Sequence, residues 1–420
     1  MPRLLPSSKS TLVSPLRHRD FRLFWLGQLF SSIGSQFTTV AMAWQIYELT
    51  NSPLQIGLIG LVRAVPQIAM LLFGGLLADS MNRRRLMIGT QIGLFAVSGA
   101  LAVITVIGRT SALTLYCVTV FLALLTSLES PARHSLVANL VPRKDLARAT
   151  ALYSSQRYVA IIAGPAIAGL VLAFLGPAAC YGIDALSWLV MLCSLVMIRV
   201  QLPAALGWRN VSLDSLRTGW SFVLGHAVIF PLLLLDFGAN FFGSVRALLP
   251  IYARDILMVG PQGLGLLYAA TAIGSLAGAV GFGLIGQVRH AGRWILIGVT
   301  VYAISVVLFA QSQILWISVV LLVVSGIGDT TSAVLRATIN QLATPDQLRG
   351  RMASINSIFT NSGPQLGQFE AGAVAAWLGA EMSLLSGGLA ILIIVALTAI
   401  GFPNIRKFTI PVSSPATTGG

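Results

Sequence analysis

The sequence predicts an all-α membrane protein of twelve transmembrane helices in two related six-helix halves, and three observations carry that expectation. The chain is 56% hydrophobic and 10% charged, with a mean hydropathy of +0.84, which is more apolar surface than a water-soluble monomer tolerates. Twelve apolar runs each approach the roughly 20 residues that a helix needs to cross a bilayer core. Landmarks of the first half also recur in the second at nearly constant offsets.

Segment 1–22 is polar and basic and is expected in the cytoplasm. The first half, 23–200, holds spans at about 23–48, 54–78, 86–107, 112–130, 149–173 and 179–199. Residues 201–227 link the halves, and the helical spacing of Leu213, Leu216, Trp220 and Val223 predicts a short amphipathic helix on the membrane surface. The second half, 228–402, holds spans at about 228–252, 262–286, 293–311, 314–335, 353–378 and 382–402. The tail, 403–420, is rich in Ser, Thr, Pro and Gly and is expected to be poorly ordered. No short apolar segment with a small-residue cleavage site precedes the first span, so no removable signal peptide is expected.

The halves correspond at specific positions. Pro53, Gly57 and Gly75 recur as Pro261, Gly265 and Gly283, each 208 residues later. Arg133 and Pro142 recur as Arg336 and Pro345, and "AFLG" (173–176) as "AWLG" (376–379), each 203 residues later. The turn after the second span differs, because Asp79 is replaced by Gln287 and the arginines by "AGR" (291–293).

The net charge of +14 resolves by side. Twenty-two Lys and Arg fall on the side of the termini, only Arg109 and Arg254 fall on the other, and Arg63, Arg157 and Arg246 lie within spans. The positive-inside rule then puts both termini in the cytoplasm of a multi-pass cell membrane protein, and no nucleic-acid partner is needed. Cys117, Cys180 and Cys193 sit inside apolar runs as packing residues. The four histidines lie at span edges without a metal-ligand or Ser/His arrangement. No enzyme activity, cofactor or metal is expected, and without a GxxxxGK[ST] element ATP is not the expected energy source.

Between the second and third spans, "GGLLADSMNRRRLMIG" (74–89) places Gly75 and Asp79 ahead of three arginines. The arginines anchor a cytoplasmic turn, but the glycine and the acid point further, to a helix docking point that can separate. This element resembles the Gly-x-Leu-Ala-Asp-x-x-x-Arg-Arg motif of the major facilitator superfamily, carried by Gly75, Leu77, Ala78, Asp79, Arg83 and Arg84, with Asn82 replacing the usual Gly after the acid. "AIIAGPAIAGL" (160–170), with Gly164, Pro165 and Gly169, resembles the Gly-Pro element of its drug:proton antiporters. "ESPARHSLVANLVPRKDLARATAL" (129–152), "SVRALLP" (244–250) and "GLGLLYAATAIGSLAGA" (263–279) resemble the subgroup of enterobactin exporters and secretion-effector efflux pumps. The mid-membrane Arg carried by many antiporters in the fourth helix is absent from 115–127.

The resemblance implies a monomeric proton-coupled exporter that moves an amphipathic small molecule, a drug or a siderophore, by alternating access; an importer or a non-transporting receptor remains the alternative. It implies a cytoplasmic latch made by Gly75, Asp79, Arg83 and Arg84, with Gly164 and Pro165 letting the halves approach. It also implies that helices 1, 4, 7 and 10 line the cavity. Gln28, Ser31, Ser35, Thr38 and Gln45 share one face of the first helix, which is therefore expected toward the cavity. Asp236 and Asn240 share a face of the seventh, Asp329 is in the tenth, and Glu129 lies four residues before Arg133 in the fourth. Charges inside a bilayer are expensive, which makes them candidates for function. Arg63 and Arg246 are candidates for binding an anionic cargo or neutralising an acid such as Glu370. For proton exchange, Asp236 is the first candidate, unless an Arg lies close; Asp329 is the second, and Glu129 is expected in an ion pair.

Overall fold

A computed structural model describes residues 14–80, 83–200, 220–285, 290–345 and 348–408. The side chains of a few residues inside helices, among them Gly75, Asp79 and Arg83, lie outside the description. The long helices are α1 (Arg19–Thr50), α2 (Pro53–Ser80), α3 (Arg83–Val106), α4 (Ala112–Leu140) and α5 (Leu146–Met197), and in the second half α6 (Ile229–Phe242), α7 (Val245–Ile251), α8 (Gly260–Ile285), α9 (Ala291–Ala310), α10 (Leu315–Ala343), α11 (Arg349–Leu378), α12 (Ala380–Gly401) and the short α13 (Pro403–Lys407). Nine stretches among the described residues are long and apolar enough to cross a membrane. One of these, 143–197, contains both arms of α5.

The break in α5 falls at Gly176, where φ is +78°, a backbone conformation that a side chain disfavours. Between α11 and α12, Gly379 has φ of +87°. These are the last glycines of "AFLG" and "AWLG", so the repeat is present in the backbone as well as in the letters. Elsewhere ordinary signals end the helices. Asn51 closes α1 in the left-handed conformation (φ +48°), and Ser111 caps α4 by accepting the Thr114 amide at 3.2 Å.

The helices differ from the expected spans in detail. The seventh span is broken into α6 and α7 at Gly243–Ser244, and a π-turn over Tyr252–Ile256 follows. In α4 the apolar stretch is 112–130, as expected, and the helix itself continues to Leu140; α10 continues to Ala343, past the expected 335, because helix need not stop at the bilayer edge. Residues 403–407, expected in a disordered tail, form α13, which Ile405 anchors by packing fully buried against Gly292. In the linker, residues 220–225 are helical; Trp220 stacks on Phe359 at 5.9 Å and Val223 is buried, while Leu213 and Leu216 lie outside the described residues.

The two halves meet unevenly along their length. Near the end where α2 and α8 begin, here the far end, one apolar core takes Phe37, Ile56 and Tyr181 from the first half and Leu248, Leu264 and Phe309 from the second. Toward the end where α1 begins and α12 finishes, the terminal end, each half has its own core: Phe21, Met87 and Leu195 in one, Leu232, Ile295 and Val395 in the other. Phe174, Leu284, Trp316 and Trp377 are well exposed on the outer helix faces, as suits contact with lipid.

Candidate functional site

Two glycine crossings join the halves at the far end. Gly57 of α2 lies backbone to backbone against Gly372 of α11, and Gly169 of α5 lies in the same way against Gly265 of α8. A Cβ at any of these four would collide with main chain. The repeat relates the crossings, since Gly57 matches Gly265 at an offset of 208 and Gly169 matches Gly372 at an offset of 203. Beside them the Tyr47 hydroxyl donates to Asp255, Arg254 donates to the Tyr47 carbonyl at 3.4 Å, and its guanidinium lies 5.3 Å from the Tyr47 ring centroid. These contacts close the far end.

A cavity of about 470 Å³ lies between the halves. The first half contributes Gln36, Thr39, Arg63, Tyr158 and Pro165; the second contributes Asn240, Arg246, Tyr268, Tyr302 and Asp329. The α6–α7 break shapes its wall. The carbonyl freed at Gly243 accepts from the Tyr302 hydroxyl, and that of Asn240 accepts from Ser244 at 3.0 Å. Discontinuous helices of this kind place polar backbone at a cavity without exposing it to lipid. Arg246 leans over the Tyr268 ring at 5.9 Å, and the Tyr268 hydroxyl donates to the Arg246 carbonyl at 3.1 Å. Arg63 approaches the same tyrosine from the other half. Neither guanidinium bonds a carboxylate among the described residues, Glu370 included.

The expected acids take different roles. Asp236 accepts from Arg336 at 2.8 Å and from the Asn240 amide at 3.2 Å, and Arg336 also donates to Ser332 at 2.6 Å. An Arg does lie close, so the premise for Asp236 as first choice for a titrating acid fails. Asp329 lines the cavity, with Arg336, Asp236 and Arg246 as its charged neighbours. Glu129 is buried, pairs with Arg133 at 3.3 Å and accepts from Gln91 at 2.7 Å.

The polar face of α1 is displaced from its expected place. Gln28, Ser31 and Thr38 are buried and Ser35 turns its hydroxyl to the Ser32 carbonyl; none of the four lines the cavity, which takes Gln36 and Thr39 instead. Thr38 donates to Asp184 of the second α5 arm at 2.7 Å. The spacing correctly groups these residues on one face, but that face meets α5. Asp184, the only acid of its span, is the residue this face meets, and it lies on a helix outside the expected cavity set.

Gly164 packs on Gln36 of α1, and Pro165 sits at the cavity beside the α5–α8 crossing. Of the latch group, Arg84 is described: it donates to the Val196 carbonyl at 3.0 Å, and Arg19 donates to Met197 at 3.1 Å, so two cations cover the carboxyl end of α5. Nearby, in the turn ahead of α5 and of the fifth span expected from about 149, a hydrogen bond from His18 at 3.3 Å, joined by one from Ser14, holds the Asp145 carboxyl below its usual range.

Residues 10–411 match the transmembrane secretion effector family. The chain belongs to that family of major facilitator transporters. It is 27% identical to the enterobactin exporter EntS of Escherichia coli O139:H28 and, at the same identity, to that of Escherichia fergusonii, covering 93% of this chain and 94% of each relative. The fold is shared with a POT family transporter in complex with a thioalcohol-conjugated peptide (TM-score 0.74, 11% identity, 92% and 96% of the two chains). It is shared too with an inward-facing, unoccupied bacterial homolog of the human lysosomal transporter Spinster (TM-score 0.71, 14% identity, 97% and 100%). The chain is a multi-pass membrane transporter, not an enzyme.

Proposed function

We propose that this transporter exports an amphipathic small molecule with an anionic part, of the siderophore class, from the cytoplasm in exchange for protons. The observation that carries the reading is the pair Arg63 and Arg246, one from each half, turned to one tyrosine across the cavity without a bonded carboxylate. Cations without a bonded acid inside a membrane are costly, and a cargo anion bridging them repays that cost while drawing the halves together. The likeness to enterobactin exporters supports the siderophore class. In this reading the chain crosses the membrane twelve times, acts as a monomer and keeps both termini in the cytoplasm. The far end is then external, and the structure is closed to the outside. Gly75, Asp79, Arg83 and Arg84 form the latch that closes the cytoplasmic side in the opposite state, and Asp329 is the cavity acid that exchanges a proton.

Inverted membrane vesicles under an imposed pH gradient test this. Radiolabelled enterobactin should accumulate, and Arg246→Ala should raise its KM about tenfold while leaving KM for the cation ethidium within about twofold, the removal of one charge-assisted contact being worth roughly that much. Equal losses for both probes would assign Arg246 to packing.

A further inference from the structure

Away from the cavity, inside the first half, Asp184 is a carboxylate with an incomplete set of partners. It is 1% exposed. Thr38 and Ser98 both donate to Oδ2, at 2.7 and 2.8 Å; Oδ1 makes no hydrogen bond of good geometry among the described residues, the buried Trp188 indole N–H being the further donor turned toward the carboxylate. No cation bonds it among the described residues. The charges of α1 are Arg19, Asp20, Arg22 and Glu48, near its ends, and those of α3 are Arg83, Arg84 and Arg85, at its start. On α4, Glu129 is held by Arg133. The first α5 arm carries Arg148 and Arg157 toward its terminal end, and the second arm has no other charged residue. The nearby titratable Tyr181 donates to Gln45 at 2.7 Å. Two neutral hydroxyls on one oxygen do not balance a buried negative charge, whereas a proton on the other oxygen removes the charge itself.

The unsatisfied polar atoms run in one direction from Asp184. Toward the terminal end, Ser31 Oγ and Gln28 Oε1 of α1 are buried without partners, and Ser187 and Ser194 of α5 pack beside Gly34 and Gly27. Toward the far end, the Tyr181–Gln45 pair is complete and the shared apolar core follows. Buried polar atoms without protein partners are where water enters a protein interior.

We propose that Asp184 is a second proton-binding site, outside the cargo cavity, which exchanges its proton with the cytoplasm along the polar seam between α1 and the second arm of α5. The step is a plain proton transfer: an O–H bond forms at Asp184 Oδ1 as one breaks on solvent water, and nothing is oxidised or reduced. It rests on the proposed proton exchange for its role in transport, but not for its existence.

The test uses the full-length transporter in liposomes, with enterobactin as cargo and Asp184→Asn as the variant. If a second proton is coupled, losing it should lower the steady-state accumulation of enterobactin at a one-unit pH gradient about tenfold, while counterflow stays within about twofold. Accumulation at the wild-type level would overturn the proposal and leave proton-coupled export standing. If the wild type itself shows no gradient-driven accumulation, the export reading falls, and Asp184 is decided by infrared spectroscopy of protein with 13C-carboxyl aspartate. A protonated-carboxyl band that titrates with pH and disappears in Asp184→Asn supports the site; its absence overturns it. Should that variant not assemble, Thr38→Val, which keeps the acid and removes one donor, must move the band, and an unmoved band overturns the assignment.

Discussion

The same helix crossing is built twice in this molecule, with opposite chemistry. In the first half the second arm of α5 meets α1 through Asp184 and Thr38. At the offset of 203 residues the counterpart of Asp184 is Gly387 of α12, which meets α6 with no side chain at all and lies against the Phe242 carbonyl. In the second half the acid of α6, Asp236, lies elsewhere and is neutralised by Arg336. A duplicated fold therefore repeats the path of the backbone and leaves the placement of charge free to diverge. Asp236 is paired with a cation and Asp184 has only neutral donors, so the two should respond to mutation in different ways.

The largest difference should come from Arg336. Arg336→Leu strands Asp236 in a half-buried place, a loss of about 2–4 kcal/mol, visible as failed assembly or a lower Tm in detergent. Asp236→Asn combined with Arg336→Gln should recover most of it. Asp184→Asn strands no cation and should cost no more than about 1 kcal/mol. Equal destabilisation at the two acids would break the comparison.

The glycine crossings sharpen it from the side of shape. Gly265→Val should wedge α8 away from α5, an overpacking cost of about 1–3 kcal/mol against the closed far end. Labelling of a cysteine at that end by an impermeant maleimide should then rise by tenfold or more. Gly57→Val should do the same if the crossings are equivalent, and an effect at one only would show that the halves differ in shape as well as in charge.

The smallest effect belongs to the exposed edge of the first half. Asp145 is held below its usual range, so its contribution to stability is present above about pH 4 and is lost as the pH falls through the lowered value. Asp145→Asn should lower Tm slightly at pH 7 and flatten its fall between pH 5 and 3. An unchanged acid limb would remove His18 and Asp145 from the list of contacts that hold α1 to α5.

Much of the fold is legible in the residues because a bilayer demands it: apolar runs, basic turns and the two recurring Gly breaks need no knowledge of neighbours. The Glu129–Arg133 pair is legible for the same reason, since four residues is one helical turn. The Asp236–Arg336 pair spans 100 positions, and nothing local announces it. The polar stripe of α1 shows the limit most plainly. Spacing of three and four says that Gln28, Ser31, Ser35 and Thr38 share a face, but a polar face inside a membrane suits a cavity and a buried acid equally well. Asp184 on a distant helix decides between them, and its being the lone acid of an apolar span was the available signal.

A barrier of backbone laid on backbone has a narrow tolerance. Gly57 lies nine residues, about 14 Å, along α2 from Pro66. If the halves roll about the middle of that helix, a tilt of about ten degrees opens the Gly57–Gly372 seam by only about 2–3 Å, close to the width of one water molecule. The glycines themselves have no side chain to drape across a partial opening, so that contact passes from dry to leaking over a few degrees, and only the neighbouring Tyr47, Arg254 and Asp255 contacts span the gap beside it. A transporter built this way holds ions back by angular precision rather than by a plug, and any lipid pressure or cargo shape that alters the tilt acts directly on its permeability.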